Sequence, residues 1–290
     1  MHIDQQFARI ALDIFRLCVW LVLLAVIFVP LEWAFGILPS QTKRTERATD
    51  LGYYFLNNVF SGLLQIPPLV VLGWGLHFLV PPQLYSFTGS LPLWVRLAAA
   101  LVLGDVGYYW GHRLMHRVPI LWHFHSIHHS APRVDWLVSS RAHPLDIAFS
   151  HFSGLVPLYA LGLTQPLATR PDILPQLFIV IGITWGFFIH ANLNWRLGWV
   201  ERLVSTPAFH HWHHTKRDHV DRNFASLLPC IDIAFGTYHL PKQLPSEYGI
   251  IDPMPSGMLA QLVAPFRLDR EPQDGVWRAE DRPPGSARGS

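Results

Sequence analysis

The sequence predicts an all-α, integral-membrane helical bundle with a cytosolic helical cap that carries a histidine-ligated di-metal site. Three observations lead there. Half of the 290 residues are hydrophobic and only 14% are charged, against about 25% in ordinary soluble domains. The apolar residues fall in runs of membrane length. The chain also holds 17 histidines, and most of them recur in short spacings. A net charge of +2 gives no electrostatic footprint for nucleic acid, so no nucleic-acid partner is expected. The two cysteines, Cys18 and Cys230, have no paired spacing and predict neither a disulfide framework nor a zinc ribbon.

The first apolar run covers residues 10–38 and reads as a membrane helix. A cleaved signal peptide is not expected, because no acid-free basic start precedes the run and no small-x-small site follows it. A charged loop, Lys43-Arg44-Thr45-Glu46-Arg47, comes next. The second run, residues 51–80, is long enough to span with a kink at Pro67-Pro68. Residues 81–91 carry no charge and read as a loop. Further runs cover residues 93–110, 145–163 and 173–190. Residues 194–203 mix Trp195, Leu197, Trp199 and Val200 with Arg196 and Arg202, a pattern suited to a helix lying in the interface. Beyond about Arg267 the chain is rich in Pro, Gly and charge, and a disordered tail is expected. The resulting division is 1–92 (N-terminal membrane helices), 93–240 (histidine-bearing catalytic region) and 241–290 (C-terminal extension).

Loop charge gives the orientation. Lys43, Arg44 and Arg47 mark one side. Two spans later Arg113, Arg117, Arg133 and Arg141 fall on that side again, and after two more Arg196, Arg202, Lys216 and Arg217 do so. The intervening loops hold only Arg170. The positive-inside rule therefore puts every histidine cluster on the cytosolic face of a multi-pass protein.

Three clusters carry the chemistry: His112-Arg-Leu-Met-His116, His125-Ser-Ile-His128-His129 and His210-His-Trp-His213-His214. On a helix, positions i and i+4 share a face, so His112 and His116 can grip one ion. An i, i+3, i+4 triplet spreads over roughly a 100° arc, and it can serve one ion or divide between two. Two triplets and a pair supply enough nitrogens for two four-coordinate metals. Imidazole suits iron, zinc and copper, so the ligands do not select the metal. A lone histidine is ordinarily packing or surface, and His2, His77, His151 and His239 receive that reading; His219 reads as surface. His123 and His211 are extra histidines beside clusters. Asp105 lies seven residues before His112 on the same helical face, near the inner end of an apolar run where an unpartnered acid is costly. It is expected to accept a hydrogen bond from the far nitrogen of a ligand histidine.

These residues resemble the fatty acid hydroxylase/sterol desaturase superfamily. The resemblance is carried by the string from Asp105 to Ser130, DVGYYWGHRLMHRVPILWHFHSIHHS, by Arg141-Ala-His143-Pro144, by His190-Ala-Asn192, by the segment from Thr206 to Thr215, by Asp221-Arg-Asn223-Phe224 and by the segment from Asp232 to Thr237. It implies a non-haem di-iron site and O₂ as co-substrate. Carried over residue by residue, it names His112, His116, His125, His128, His129, His210, His213 and His214 as metal ligands. It adds His190 as a ninth, and leaves His143 as a ligand or a supporting group. Asn223 and Asp232 match family positions without a role that the sequence supplies. The HPGG haem signature of a fused cytochrome b5 domain is absent from these residues. The implied electron source is a separate donor, ferredoxin- or cytochrome b5-like with its reductase.

The implied function is O₂-dependent hydroxylation of a lipid C–H bond, in a sterol, fatty acyl chain, alkyl ether lipid or carotenoid. Desaturation of the same lipids is the alternative within the family. Apolar spans make a lipid the natural substrate, since they can form a slot from the bilayer to the metals. A zinc hydrolase would use HExxH, and the first cluster has no Glu between its histidines. A non-catalytic or transport-type metal-binding membrane protein is the reading from another class, but transport would place ionisable groups within the spans.

Overall fold

The computed structural model describes residues 2–37, 46–164 and 173–267. Ten α-helices and three short 3-10 turns occur among them, and no strand does. Four helices start at a proline whose missing N–H costs nothing in a first turn. These are α3 (Pro82–Ser90), α5 (Pro119–His129), α6 (Pro144–Ala160) and α8 (Pro207–His213). Pro119 also ends the preceding α4 (Leu93–Arg117), because the residue before a proline is pushed out of the helical region. The expected loop at 81–91 is therefore mostly the helix α3, which meets α4 at a bend of 118°. The interfacial helix expected at 194–203 is only a 3-10 turn, Gly198–Arg202. It begins at Gly198 with φ +62°, a left-handed conformation that no helix continues through.

Among the described residues two helices are long and apolar enough to cross a bilayer: α1 (His2–Phe35), through its part Gln5–Phe35, and α2 (Arg47–Leu79). The bent pair of α3 and α4 gives a third if it is one span. Their outward faces expose Phe15, Val26, Val71 and Trp74, contiguous apolar surface that suits lipid rather than water. The chain is a membrane protein on this ground. α6 and α7 (Leu174–His190) have 17 residues each, short of the roughly 20 a span uses. Most of the loop Lys43–Arg47, together with Arg170 and the expected tail, lies outside the described residues.

The core sits where α4, α6, α2 and α7 meet. Glycines on α4 let α6 come close. A Cβ at Gly107 would lie 2.3 Å from the Ser153 carbonyl oxygen, and one at Gly111 would lie 2.3 Å from Ser153 Oγ. Small residues at helix crossings allow this packing in membranes. Leu155, Leu158 and Tyr159 of α6 fill a buried cluster with Ala100 and Leu174.

Polar clamps fix the loop between α5 and α6. Arg141, fully buried, reaches Asp50 of α2 with Nε 2.5 Å from its carboxylate, and Nη2 lies 2.6 Å from Glu46. Asn57 of α2 donates to the carbonyls of Ser140 and Ala142 at 3.1 and 2.9 Å. Glu32 of α1 accepts from the Trp136 and Asn192 amides, both at 2.8 Å. The N-terminal helices thus do more than anchor the chain: they hold the backbone on which the histidines lean. The C-terminal helix α10 (Met258–Val263) packs on α2.

Candidate metal centre

Nine buried histidines converge at one end of the bundle, in two groups. One group is His112, His116, His125, His129 and His213. The other is His128, His190, His210 and His214. Within each, the candidate ligand nitrogens lie within 4.8 Å of one another. Helix geometry explains the division. Positions four apart differ by about 40° around the axis, while positions three apart differ by about 60° the other way. Every i, i+4 pair stays together: His112 with His116, His125 with His129, His210 with His214. The middle members, His128 and His213, turn to the opposite group. Each triplet is therefore shared between two centres.

The far nitrogens are fixed by protein acceptors. Nδ1 of His112 lies 2.8 Å from the Phe224 carbonyl, that of His128 2.9 Å from Arg141, and that of His213 2.8 Å from Arg222. His190 Nδ1 reaches the Gly186 carbonyl at 2.6 Å. His125 faces both oxygens of Asp146 at 3.1 Å, and His116 faces Asp221 at 3.0 Å. A carbonyl or carboxylate accepts, so each of these nitrogens carries the proton. In a neutral ring, the form a metal ligand requires, every Nε2 of this set is then a bare lone pair.

That assignment makes the centre legible. Nε2 of His112 is 3.1 Å from Nε2 of His125, and Nε2 of His128 is 3.2 Å from Nε2 of His190. Neither contact is a hydrogen bond, because no proton lies between the atoms. His116 Nε2 and His213 Nε2 are buried with no partner among the described residues. Facing lone pairs repel unless a cation lies between them. Two nitrogens about 2.1 Å from a shared ion sit about 3.0 Å apart at a right angle and about 3.4 Å apart at a tetrahedral angle. The observed separations fall in that interval, so the residues fit a metal in each group. Burial, with neighbouring histidines adding to it, holds His125, His129, His210, His213 and His214 well below the ordinary histidine range. The rings stay neutral, as ligands must.

Two acidic residues build the wall beneath His112. Asp232 accepts from the Phe224 and Ala225 amides at 2.8 and 2.9 Å and from Thr237 Oγ1 at 2.7 Å. Asp105 accepts from the amides of Ser226, Leu227 and Leu228, at 3.0, 3.1 and 2.7 Å. This corrects the expectation for Asp105. Among the described residues its carboxylate meets no histidine, because segment 226–228 arrives with three N–H groups that claim it. Asn223, at φ +58°, bonds the Phe209 carbonyl at 2.8 Å and the His239 carbonyl and amide at 2.7 Å each, so it ties α8 to the following loop.

His143 lies outside both groups. Its Nδ1 accepts from the Leu145 amide at 3.1 Å and caps α6, and its ring sits between Phe124 and Phe266. His211 is held by Tyr248 and the Ala191 carbonyl and joins neither group. The carboxylates that do face histidines, Asp146 and Asp221, were not singled out from sequence. Asp221 stands in the Asp-Arg-Asn-Phe string, and Asp146 follows His143 by three residues, which is the signal that was present.

A cavity of about 440 Å³ opens between α2, α4, α6 and α7 and reaches the centre. His125 of one group and His128, His190 and His210 of the other line it.

The fatty acid hydroxylase family model matches residues 97–237. An ornithine lipid hydroxylase from Rhizobium tropici is 34% identical over 60% of this chain and 51% of its own length. The alkylglycerol monooxygenase of Homo sapiens is 30% identical over 59% of this chain and 36% of its own. Methylsterol monooxygenase 2-2 of Arabidopsis thaliana is 28% identical over 51% and 55%. The chain thus spans about half, or less, of the length of these relatives. No solved structure matches it. All nine converging histidines lie within the matched segment, and it is through this segment, just under half of the chain, that the protein is similar to the fatty acid hydroxylase family.

Proposed function

We propose that the protein is an O₂-dependent lipid hydroxylase with two non-haem irons, one in each histidine group. One observation carries this reading: histidines from both groups border the same cavity between apolar helices. The relatives named as hydroxylase or monooxygenase support hydroxylation over desaturation. The ligands would be His112, His116, His125, His129 and His213 on one side and His128, His190, His210 and His214 on the other. Two ferrous ions would supply the electrons and the oxygen activation that an unactivated C–H bond demands.

The chain's own residues do the rest. Asp146 and Asp221 hold the protons of His125 and His116 on the outer nitrogens, which orients the inner lone pairs and raises their basicity. The Phe224, Arg141, Gly186 and Arg222 carbonyls do the same for four more rings. Apolar residues of the cavity such as Leu155, Phe178 and Phe187 exclude water and align a hydrocarbon chain beside the histidines; a misplacement of about 1 Å costs orders of magnitude in rate. Loop charge puts the histidines on the cytosolic side, where a separate donor, ferredoxin- or cytochrome b5-like with its reductase, would deliver electrons. Residues 93–240 form the catalytic region in this reading, with 1–92 as membrane helices and 241–290 as an extension.

The test is comparative lipid analysis of membranes carrying the wild-type protein or His128→Ala, with metal analysis of the purified protein. Two irons per chain and a lipid gaining one oxygen in the wild type alone are expected. A lipid lacking two hydrogens would assign desaturation instead. Firmly held zinc with no oxidised lipid would favour a non-catalytic or transport role and overturn the proposal.

A further inference from the structure

The cavity has a polar station away from the metals. Gln65 of α2 and His151 of α6 both line it, with Gln65 Nε2 lying 3.0 Å from His151 Nδ1. His151 follows Asp146 by five residues on α6, about 7.5 Å along the helix. Asp146 in turn touches His125. Along α6, the pair is thus set back from the centre by roughly that rise. No other hydrogen bond to either side chain occurs among the described residues. Gln65 also sits within a helix long enough to cross the bilayer, where a polar side chain is costly and its retention points to function.

The unused hydrogen-bonding capacity of the pair does not depend on how the amide and the ring are assigned. If the Gln65 amide nitrogen donates to Nδ1, the Gln65 oxygen remains as an acceptor and His151 Nε2–H as a donor. If the amide is turned over, its oxygen accepts from Nδ1–H, the amide N–H₂ remains as the donor and Nε2 as the acceptor. Either way the pair presents at least one donor and one acceptor side by side at the cavity.

We propose that Gln65 and His151 select the lipid substrate by hydrogen-bonding a group that both donates and accepts, a hydroxyl or a secondary amide, lying several methylenes from the carbon at the metals. The inference rests on the cavity being the lipid's route to the histidines. It makes the pair a specificity device: an apolar tail alone fits the cavity, but only a chain with such a group in register completes the bonds. An ester offers acceptors alone and satisfies half of the station.

The experiment measures binding, so it does not depend on turnover. The purified metal-loaded protein is titrated with 1-hexadecanol, N-methylhexadecanamide, methyl hexadecanoate and hexadecane, and apparent affinity is read from thermal shifts. The alcohol or the amide should bind about tenfold more tightly than hexadecane, as one or two net hydrogen bonds allow, with the ester between them. Which of the two binds more tightly identifies the group. Gln65→Leu and His151→Leu should each erase that preference while keeping wild-type metal content. Equal binding of all four probes by the wild type would overturn the proposal, and that comparison stands even if a variant fails to fold. Survival of the preference in both variants would also overturn it. Lipid oxidation without probe preference would sink the station and leave the hydroxylase reading; probe preference without any oxidised lipid would do the reverse.

Discussion

Replacing Asp146 by Asn tests whether the carboxylates behind the histidines set metal affinity. Both oxygens lie 3.1 Å from His125 Nδ1, and both residues are buried. A hydrogen bond with one charged partner contributes about 1.5–3 kcal/mol net, roughly 10- to 150-fold in an equilibrium constant. Losing a partner of this kind behind a metal ligand costs about 10- to 100-fold in affinity. The amide of Asn can still offer an oxygen to Nδ1–H, so the tautomer can persist while the charge is lost. The expected outcome is a weakening of about tenfold or more in the five-histidine group, with a smaller effect on the four-histidine group, whose His128 feels the charge only through space. The assay dialyses wild-type and variant protein against a graded chelator series and measures retained metal per chain. The wild type should keep both metals to chelator concentrations at which the variant has fallen to one. Retention of both metals by Asp146→Asn at wild-type concentrations would refute the reasoning. So would loss of both at the same chelator concentration from protein that remains folded by circular dichroism, because Asp146 hydrogen-bonds a ring of the five-histidine group and touches the other only through space.

Further outcomes follow from the same packing and burial. Arg141→Leu removes the cation that pairs with Asp50, itself fully buried, and should destabilise by about 3–5 kcal/mol, whereas replacing Asp50 and Arg141 together by Leu should cost markedly less; thermal melts in detergent compare the two. Gly107→Ala drives a methyl to within 2.3 Å of the Ser153 oxygen and should cost about 1–3 kcal/mol by overpacking, while Gly182→Ala, with nothing within 4 Å, should melt close to wild type. In chelator-treated protein, His125, His129, His210, His213 and His214 bind fewer protons folded than unfolded, since burial lowers their folded values. Stability should therefore be flat above about pH 6.5, the unfolded histidine value, and fall as pH drops below it toward the depressed folded values. A melting temperature that rises on acidification would contradict that sign.

What the sequence made visible, and what it hid, divides by distance along the chain. The three histidine clusters are local patterns: spacing of three and four encodes which rings share a helical face, and that alone accounts for how each triplet divides. The partners behind the rings are not local. His125 meets an acid 21 residues away and His116 one 105 residues away, so spacing carries no trace of either pairing. Asp105 shows the opposite failure. Its place on the His112 face of α4 is readable, but what covers that face is a segment more than 120 residues later, whose bare amides compete for the carboxylate. The same limit explains His151. A solitary histidine in an apolar run carries no pattern, and only the fold sets it beside Gln65, 86 residues earlier. Residues 81–91 were hidden for a different reason. An uncharged stretch opening on two prolines reads as a break, yet a proline in the first turn is compatible with the short helix that forms.

The electrostatics of the centre bear on why its supports are so far-flung. Nine neutral imidazoles provide nitrogen but no negative charge, and two divalent cations buried among them would be costly without compensation. The two carboxylates that touch the rings, Asp146 and Asp221, are the nearest negative charges, and each sits one imidazole removed from a candidate metal position. Compensation by this route leaves the inner coordination all-nitrogen. It also delivers part of each carboxylate's charge through the ring it orients. The hydrogen-bonded compensation falls on the five-histidine group, because among the described residues the outer nitrogens of the four-histidine group bond only the carbonyls of Arg141 and Gly186, and Asp146 reaches His128 through space alone. The two groups are therefore chemically unequal despite their shared ligand type. The four-histidine group carries less compensation, and three of its four members, His128, His190 and His210, border the cavity against one of five in the other. In this reading the less compensated site is the one that faces the substrate.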